Sequence, residues 1–347
     1  MTGADGGPDL VGVTLPGGWR VARHVGEGAM AHVYEAFGPD ERRVAVKVLH
    51  GALVHQRDVA FRFRREAELL ESIDSPHVLK VLGRGRDERG RFFLVLEFVE
   101  GVSLFSLLAQ SRTLPYGHAL DITMQICRAL EAAHAAGIVH RDMKPENVIV
   151  DGMPTEPRVK VLDFSISKDQ DLSFTATGTI LGTPSYMAPE QARGDVTPLS
   201  DVYAVGAILY DMMVGRPPFL GTEPGKVLAA LLTETPPRPR EIAPHVSPAA
   251  EAVILRAIAR DPNERYADMR AFAGAIEALK EDAERQTAIS TLPPPPAAFV
   301  APEVPAPPSA PTPSPPQQAA AVRPVRLALW VGSLFLIALA IVWLATR

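Results

Sequence analysis

Hydrophobic and polar positions change period along this chain, and the changes divide it. From Trp19 to Val25 apolar and charged residues alternate, the turn Gly26-Glu27-Gly28-Ala29-Met30-Ala31 follows, and alternation resumes through His32-Val33-Tyr34-Glu35-Ala36. Period two predicts strand, turn, strand. Arg43 to Leu49 is another β-branched run, with Lys47 inside it; taken alone, an edge-strand lysine facing solvent is the simpler reading. Between Val59 and Ile73 the spacing lengthens. Phe63, Ala67, Leu70 and Ile73 recur every three or four residues, which predicts an amphipathic helix with Arg62, Arg64 and Arg65 on its solvated face. Strands are expected at Val78–Gly83 and Phe92–Val99, a long apolar helix at Ala119–Ala136, and short strands at Asn147–Val150 and Val159–Ser165. A small β-rich lobe followed by a larger helical one is an α+β arrangement, with a cleft expected between the lobes.

Both ends of the chain break this pattern. Met1 to Gly18 is Gly- and Asp-rich without an apolar core, so a flexible lead-in over 1–18 is expected and no secretory leader. After Lys280 the periodic pattern fades, and half of the 24 residues from Pro293 to Pro316 are proline. Such a stretch lacks amide donors and apolar surface, and predicts an extended, disordered linker over 281–326. Leu327 to Ala345 is then a run of 19 residues without a charge, with Trp330 and Trp343 near its ends. As a helix it spans roughly 28 Å, close to a bilayer core of about 30 Å, which predicts one transmembrane helix and a short tail at 346–347. Arg323 and Arg326 before it place the preceding lobes on the cytoplasmic side of the cell (inner) membrane, as a single-pass protein.

Composition narrows the function classes. With 35 Lys plus Arg against 40 Asp plus Glu, the formal charge is −5, so no basic excess favours nucleic acid as a partner. The single cysteine, Cys127, lies in an apolar helical segment and is read as a core thiol. The nine histidines contain no H-E-x-x-H pair that argues for zinc.

Candidate chemistry concentrates in His140-Arg141-Asp142-Met143-Lys144-Pro145-Glu146-Asn147. Eight residues supply a carboxylate, an ammonium and an amide, able to take a hydroxyl proton, hold a phosphoryl group and ligate Mg²⁺. Val159-Lys160-Val161-Leu162-Asp163-Phe164-Ser165 ends a second short strand in an acid, and carboxylates at neighbouring strand ends suggest a metal-phosphate site. These segments resemble the catalytic and magnesium loops of bacterial, eukaryotic-like (Hanks-type) serine/threonine protein kinases. Gly182-Thr183-Pro184-Ser185-Tyr186-Met187-Ala188-Pro189-Glu190 and Asp201-Val202-Tyr203-Ala204-Val205-Gly206 extend the resemblance over about 19–280.

The resemblance implies a bilobal protein-kinase fold over 19–280, and ATP with Mg²⁺, or Mn²⁺ as an alternative, as cofactors. It makes Asp142 the catalytic base and Lys144 the charge at the γ-phosphate. Lys47 is implied to pair with Glu66, Glu68 being the fallback, while Asn147 and Asp163 hold the metal. The ATP site is implied to comprise Val25, Gly26, Glu27, Gly28, Ala29, Met30, Ala31, Val33, Ala45, Lys47, Glu97, Val99 and Ile149, with Leu96 as gatekeeper. His140 and His134 are implied to be structural. Asp201 is implied to brace the catalytic loop, Arg265 to pair with Glu190, and Thr183 to contact the catalytic residues. Thr175 and Thr177 are the expected phosphosites, their phosphate pairing with Arg141. Protein substrates are the implied partners, with self-association for phosphorylation in trans. Ala31 and Ser165 stand where the family usually has glycine, and they motivate the alternative of a pseudokinase-like nucleotide-binding scaffold at the membrane.

Overall fold

Alternation in the first third of the chain closes into one sheet. In the computed structural model, which describes residues 10–28, 30–164 and 184–291, six strands pair antiparallel: β1 (Thr14–Leu15), β2 (Trp19–Glu27), β3 (Ala31–Phe37), β4 (Arg43–Leu49), β5 (Val81–Arg86) and β6 (Phe92–Glu97). Their order is β1-β2-β3-β4-β6-β5, so β4 is interior. Helix α1 (Arg57–Ser72) is inserted between β4 and β5. Period two decides the faces of β4. Val44, Val46 and Val48 are buried with Tyr34, Phe93 and Val95. Ala45 and Lys47, between them, belong to the opposite face, where Phe63, Ala67 and Leu70 of α1 pack with Leu49 and Leu94.

The second lobe is helical around a short sheet. It comprises β7 (Val102–Ser103), α2 (Leu104–Ser111), α3 (Tyr116–Ala135), β8 (Val148–Asp151), β9 (Arg158–Val161), α4 (Pro198–Val214), α5 (Pro224–Thr233), α6 (Pro239–Ile242), α7 (Pro248–Ala257) and α8 (Met269–Thr291). Strands β7, β8 and β9 form a three-stranded sheet. Helix α4 is buried without interruption from Ser200 to Met213, as a helix at the centre of a core must be. Thr197 caps it by accepting the Leu199 N–H at 3.2 Å. Gly206 permits the close approach of α7: a Cβ there would lie 2.6 Å from the Ala257 Cβ.

Three boundaries differ from the sequence reading. Leu10–Gly18 is not part of a flexible lead-in: β1 pairs with β2, and Leu10 and Leu15 are buried against the sheet. Val78–Lys80 does not belong to β5. Leu79 N–H donates to the Val161 carbonyl and Val161 N–H to that of His77, so the segment bridges to β9 and pairing with β6 begins at Val81. Helix α8 continues past Lys280 to Thr291, through ion pairs of Arg285 with Glu281 and Asp282, so the linker cannot begin at 281. Among the described residues no helix is long and apolar enough to cross a membrane; the 327–345 run, the prolines, Ala29, Ser165, Thr175, Thr177 and Thr183 lie outside them.

Two stability predictions follow from this packing. Gly206→Val should destabilise the protein by roughly 1–3 kcal/mol in chemical denaturation, since neither Ala257 nor the α7 backbone can retreat. The buried Asp211 carboxyl, which accepts the Tyr186 hydroxyl at 2.5 Å, is raised from 3.8 to about 6 by burial, the hydrogen bond opposing it. The folded chain therefore keeps a proton that the unfolded chain has lost, and this contribution to stability falls as pH rises through about 6. Asp211→Asn keeps an acceptor for Tyr186 and does not titrate. Its melting temperature should rise relative to the parent's between pH 5 and 7.5, and a constant difference would count against the assignment.

Candidate active site

Lys47 joins the two lobes. Because β4 is interior, Lys47 cannot be the edge-strand lysine of the simpler reading; its ammonium lies 2.7 Å from Glu66 Oε1 on α1 and 3.0 Å from Asp163 Oδ1 beyond β9. Glu68 instead faces Arg65 at 3.0 Å, which settles the choice between the two glutamates. Burial would lower the Lys47 pKa, but the charges of Asp163 and Glu66 outweigh it and raise the group above its ordinary value. Crowding by the surrounding protein would likewise raise the Asp163 carboxyl, although 54% of the side chain stays accessible; the Lys47 charge and hydrogen bond reverse this and hold it below the usual range. Glu66 is raised, by burial first and then by the charge of Asp163. The two acids share one ammonium, and that sharing pushes their proton affinities in opposite directions.

The His140–Asn147 loop is held in an unfavourable shape. Arg141 has φ +70° and Asp163 φ +52°, both in the left-handed region that non-glycine residues avoid. Asp201 of α4, 1% exposed, compensates at the first: its carboxylate accepts the His140 N–H at 2.9 Å, the Arg141 N–H at 3.0 Å and the His134 ring N–H at 2.7 Å. Gln191 adds a bond to the Arg141 carbonyl at 2.8 Å, which no sequence spacing announced. His140 uses both ring nitrogens, Nε2–H to the Leu162 carbonyl and Nδ1 as acceptor of the Asp142 N–H, and its ring lies 4.7 Å from that of Phe164. Neither nitrogen faces a reacting proton.

Loop and strand register bring the remaining groups together. Val148 opposes Val161, and one step on the Leu162 N–H donates to the Asn147 carbonyl at 2.9 Å, so Asn147 and Asp163 sit at adjoining strand ends. Asn147 donates its amide N–H to the Asp142 carbonyl at 2.7 Å, which fixes its oxygen as the free end of the amide. Lys144 Nζ lies 3.0 Å from Asp142 Oδ2. An amide oxygen beside an ionised carboxylate is the oxygen-only donor set that suits Mg²⁺ or Mn²⁺.

Between the lobes is a cavity of about 1240 Å³. The turn residues Val25, Gly26, Glu27, Gly28, Met30 and Ala31, with Val33 and Ala45, line it above; Leu96, Glu97 and Val99 line its back; Ile149, Asp142 and Asn147 line it below. Arg62 also lines it, contrary to its reading as part of a solvated face: it lies one helical turn before Glu66, on the same side of α1. The Glu97 side chain binds Lys160 at 2.5 Å and the Lys80 N–H at 2.8 Å, tying the connection between lobes to both. Farther out, Arg265 grips Glu190 with two bonds of 2.7 Å, all buried. Burial would raise the Glu190 carboxyl, and the guanidinium reverses this and lowers it.

Comparison with known proteins agrees with this geometry. Residues 19–279 match the family model described as the protein kinase domain. The serine/threonine-protein kinase pkn3 of Myxococcus xanthus is 38% identical over 287 residues, covering 80% of this chain and 52% of that protein. The serine/threonine-protein kinase PknA of Mycobacterium tuberculosis is 38% identical over 292 residues, 82% of this chain and 66% of that one. This chain thus spans about half to two-thirds of the length of these two relatives. The crystal structure of the Mycobacterium tuberculosis PknI kinase domain superposes with a TM-score of 0.58 at 30% identity, over 77% of this chain and 97% of that domain. With the family model spanning most of its length and the bilobal fold shared, this chain belongs to the protein kinase domain family.

Proposed function

We propose that this chain is a serine/threonine protein kinase that transfers the γ-phosphoryl group of ATP to protein hydroxyls. The observation that carries the reading is the Lys47 ammonium held between Glu66 and Asp163, above a loop that presents Asp142, Lys144 and Asn147 to one cavity. Phosphoryl transfer asks mainly for positioning and charge. Lys47, aimed by Glu66, binds the α- and β-phosphates, and the turn Gly26–Ala31 covers them with backbone N–H groups. The backbone at Glu97 and Val99 takes the adenine, and Ala45 and Ile149 enclose it. Asp142 orients and accepts the substrate hydroxyl proton, and Lys144 stabilises charge at the γ-phosphoryl oxygens. Asn147 and Asp163 would hold magnesium, which would supply further neutralisation of phosphate charge.

Regulation is part of the reading. A phosphate on Thr175 or Thr177, carrying roughly −1.5 to −2 charge, pairs with Arg141 and orders the segment before Pro184. The 327–345 run anchors the protein as a single-pass component of the cell membrane with the lobes in the cytoplasm, and confinement there raises the rate of phosphorylation between copies.

The test is phosphate incorporation from labelled ATP by the full chain in detergent, beside Lys47→Ala and Asp142→Asn. Both substitutions should lower incorporation at least ~100-fold, while Asp142→Asn keeps nucleotide binding and Lys47→Ala weakens it. No incorporation by the parent into itself or a generic acceptor, with nucleotide still bound, would favour a scaffold and overturn the reading. Anchoring has its own check: alkaline carbonate should leave the full chain in the membrane pellet, and a chain lacking 327–347 should be released.

A further inference from the structure

Strand register assembles a second group of metal-ligating side chains outside the catalytic loop. Glu27, the last residue of β2, is paired directly with His32 near the start of β3. His32 in turn faces Val48 of β4, and His50 lies two residues farther on, its N–H donated to the Met30 carbonyl at 2.9 Å. A direct cross-strand neighbour and a diagonal one share a face of the sheet. One ligand atom each from Glu27, His32 and His50 consequently lies within 4.8 Å of the others, and the His32 and His50 ring centroids are 4.2 Å apart.

His32 is what distinguishes this cluster from a solvated group of polar side chains. It is only 7% exposed, and its Nδ1 is buried without a hydrogen-bond partner. That atom points toward Glu27, 4.0 Å from Oε2, too far for a hydrogen bond. Buried imidazole nitrogens are rarely left unmatched, and one that faces a carboxylate and a second imidazole has the surroundings of a ligand. Burial, then the neighbouring His50, holds His32 below its ordinary pKa, so its lone pair is available at neutral pH. His50 accommodates the same role. Its Nε2 lies 2.8 Å from the Gly28 carbonyl, which can only accept, so the ring donates there and Nδ1 carries the lone pair.

We propose that Glu27, His32 and His50 form a binding site for a transition-metal dication, best matched by Zn²⁺, with solvent as the fourth ligand. Two imidazoles and one carboxylate are borderline donors that favour Zn²⁺ over Mg²⁺. Tetrahedral Zn²⁺ requires ligand atoms roughly 3.3 Å apart, from bonds of about 2.0 Å. The ligand atoms already lie within 4.8 Å of one another, and Glu27, 4.0 Å from His32 with a side chain 63% exposed, is free to change rotamer and close in. The ion ties both strand ends flanking the Gly26–Ala31 turn to the segment after β4. It therefore restrains the turn over the cavity, whatever occupies that cavity. An effect on nucleotide affinity rests on the kinase reading; metal binding does not.

The experiment uses the full chain in detergent, stripped with EDTA, freed of chelator and kept without nucleotide. It is titrated with ZnCl₂ by calorimetry and with CoCl₂ by visible absorption. The parent should bind one ion at this site, with four-coordinate Co²⁺ bands, and Glu27→Gln and His50→Gln should each weaken binding at least ~10-fold. Glutamine at 50 retains an N–H for the Gly28 carbonyl, and Glu27 is exposed, so metal-free melting curves should match the parent's; if His50→Gln melts early, Glu27→Gln decides. Absence of saturable binding, or equal affinity in both variants, overturns the site. With an active enzyme, Zn²⁺ should change the KM for ATP in the parent and not in His50→Gln. Zn²⁺ binding without any kinase activity would leave the metal site standing and count against the kinase reading alone.

Discussion

A single buried carboxylate holds the catalytic loop in its strained form. Asp201 is placed by α4, the helix buried from Ser200 to Met213, and it spends both oxygens on backbone N–H groups of His140 and Arg141 and on the His134 ring. Arg141 can remain at φ +70° only because those donors have no better alternative. Everything downstream inherits that constraint. Asp142 and Lys144 face the cavity because Arg141 is turned, and Asn147 is positioned because its amide closes back on the Asp142 carbonyl.

The upper lobe shares a buried apolar core with this frame, and charged pairs cross between them at two places. Lys47 reaches Asp163 across the cleft, and Glu97 reaches Lys160 behind it. Charged pairs of this kind are sensitive to small displacements, because each partner is partly buried and costly to leave alone. A shift of α1 that withdrew Glu66 would leave Lys47 facing Asp163 only. The position of one helix is thus coupled to the Asp163 carboxylate across the cleft, without any contact between them that a sequence spacing would reveal.

The glycine-rich turn is shaped by its flanks as much as by its glycines. Gly28 N–H donates to the Ala31 carbonyl at 2.9 Å, His50 binds both the Gly28 and Met30 carbonyls, and Ala31 is buried in the main core. The alanine in the third position therefore packs as the first residue of β3 and does not obstruct the cavity. The histidine cluster above it is made of residues that are five and eighteen positions apart in the chain, so no short motif could have disclosed it.

Much of the catalytic loop was legible from the sequence because its chemistry is local: Asp142, Lys144 and Asn147 lie within six residues, and a loop that short cannot scatter them. Helix α1 was equally legible, since Phe63, Ala67 and Leu70 keep a helical period wherever the helix docks. Period and composition also marked the proline tract and the uncharged run at 327–345 without reference to any fold. The family resemblance had already named Glu66 as the partner of Lys47, and the two form an ion pair in the structure; tertiary structure alone decided that Arg62 lines the cavity, that Leu10–Gly18 packs on the sheet, and that His32 is left with an unmatched nitrogen. The physical reason is the same in each case. Hydrophobic period reports which face of an element is buried, but the partner on that face is set by register and docking between elements distant in the chain, and these leave no periodic trace in the sequence.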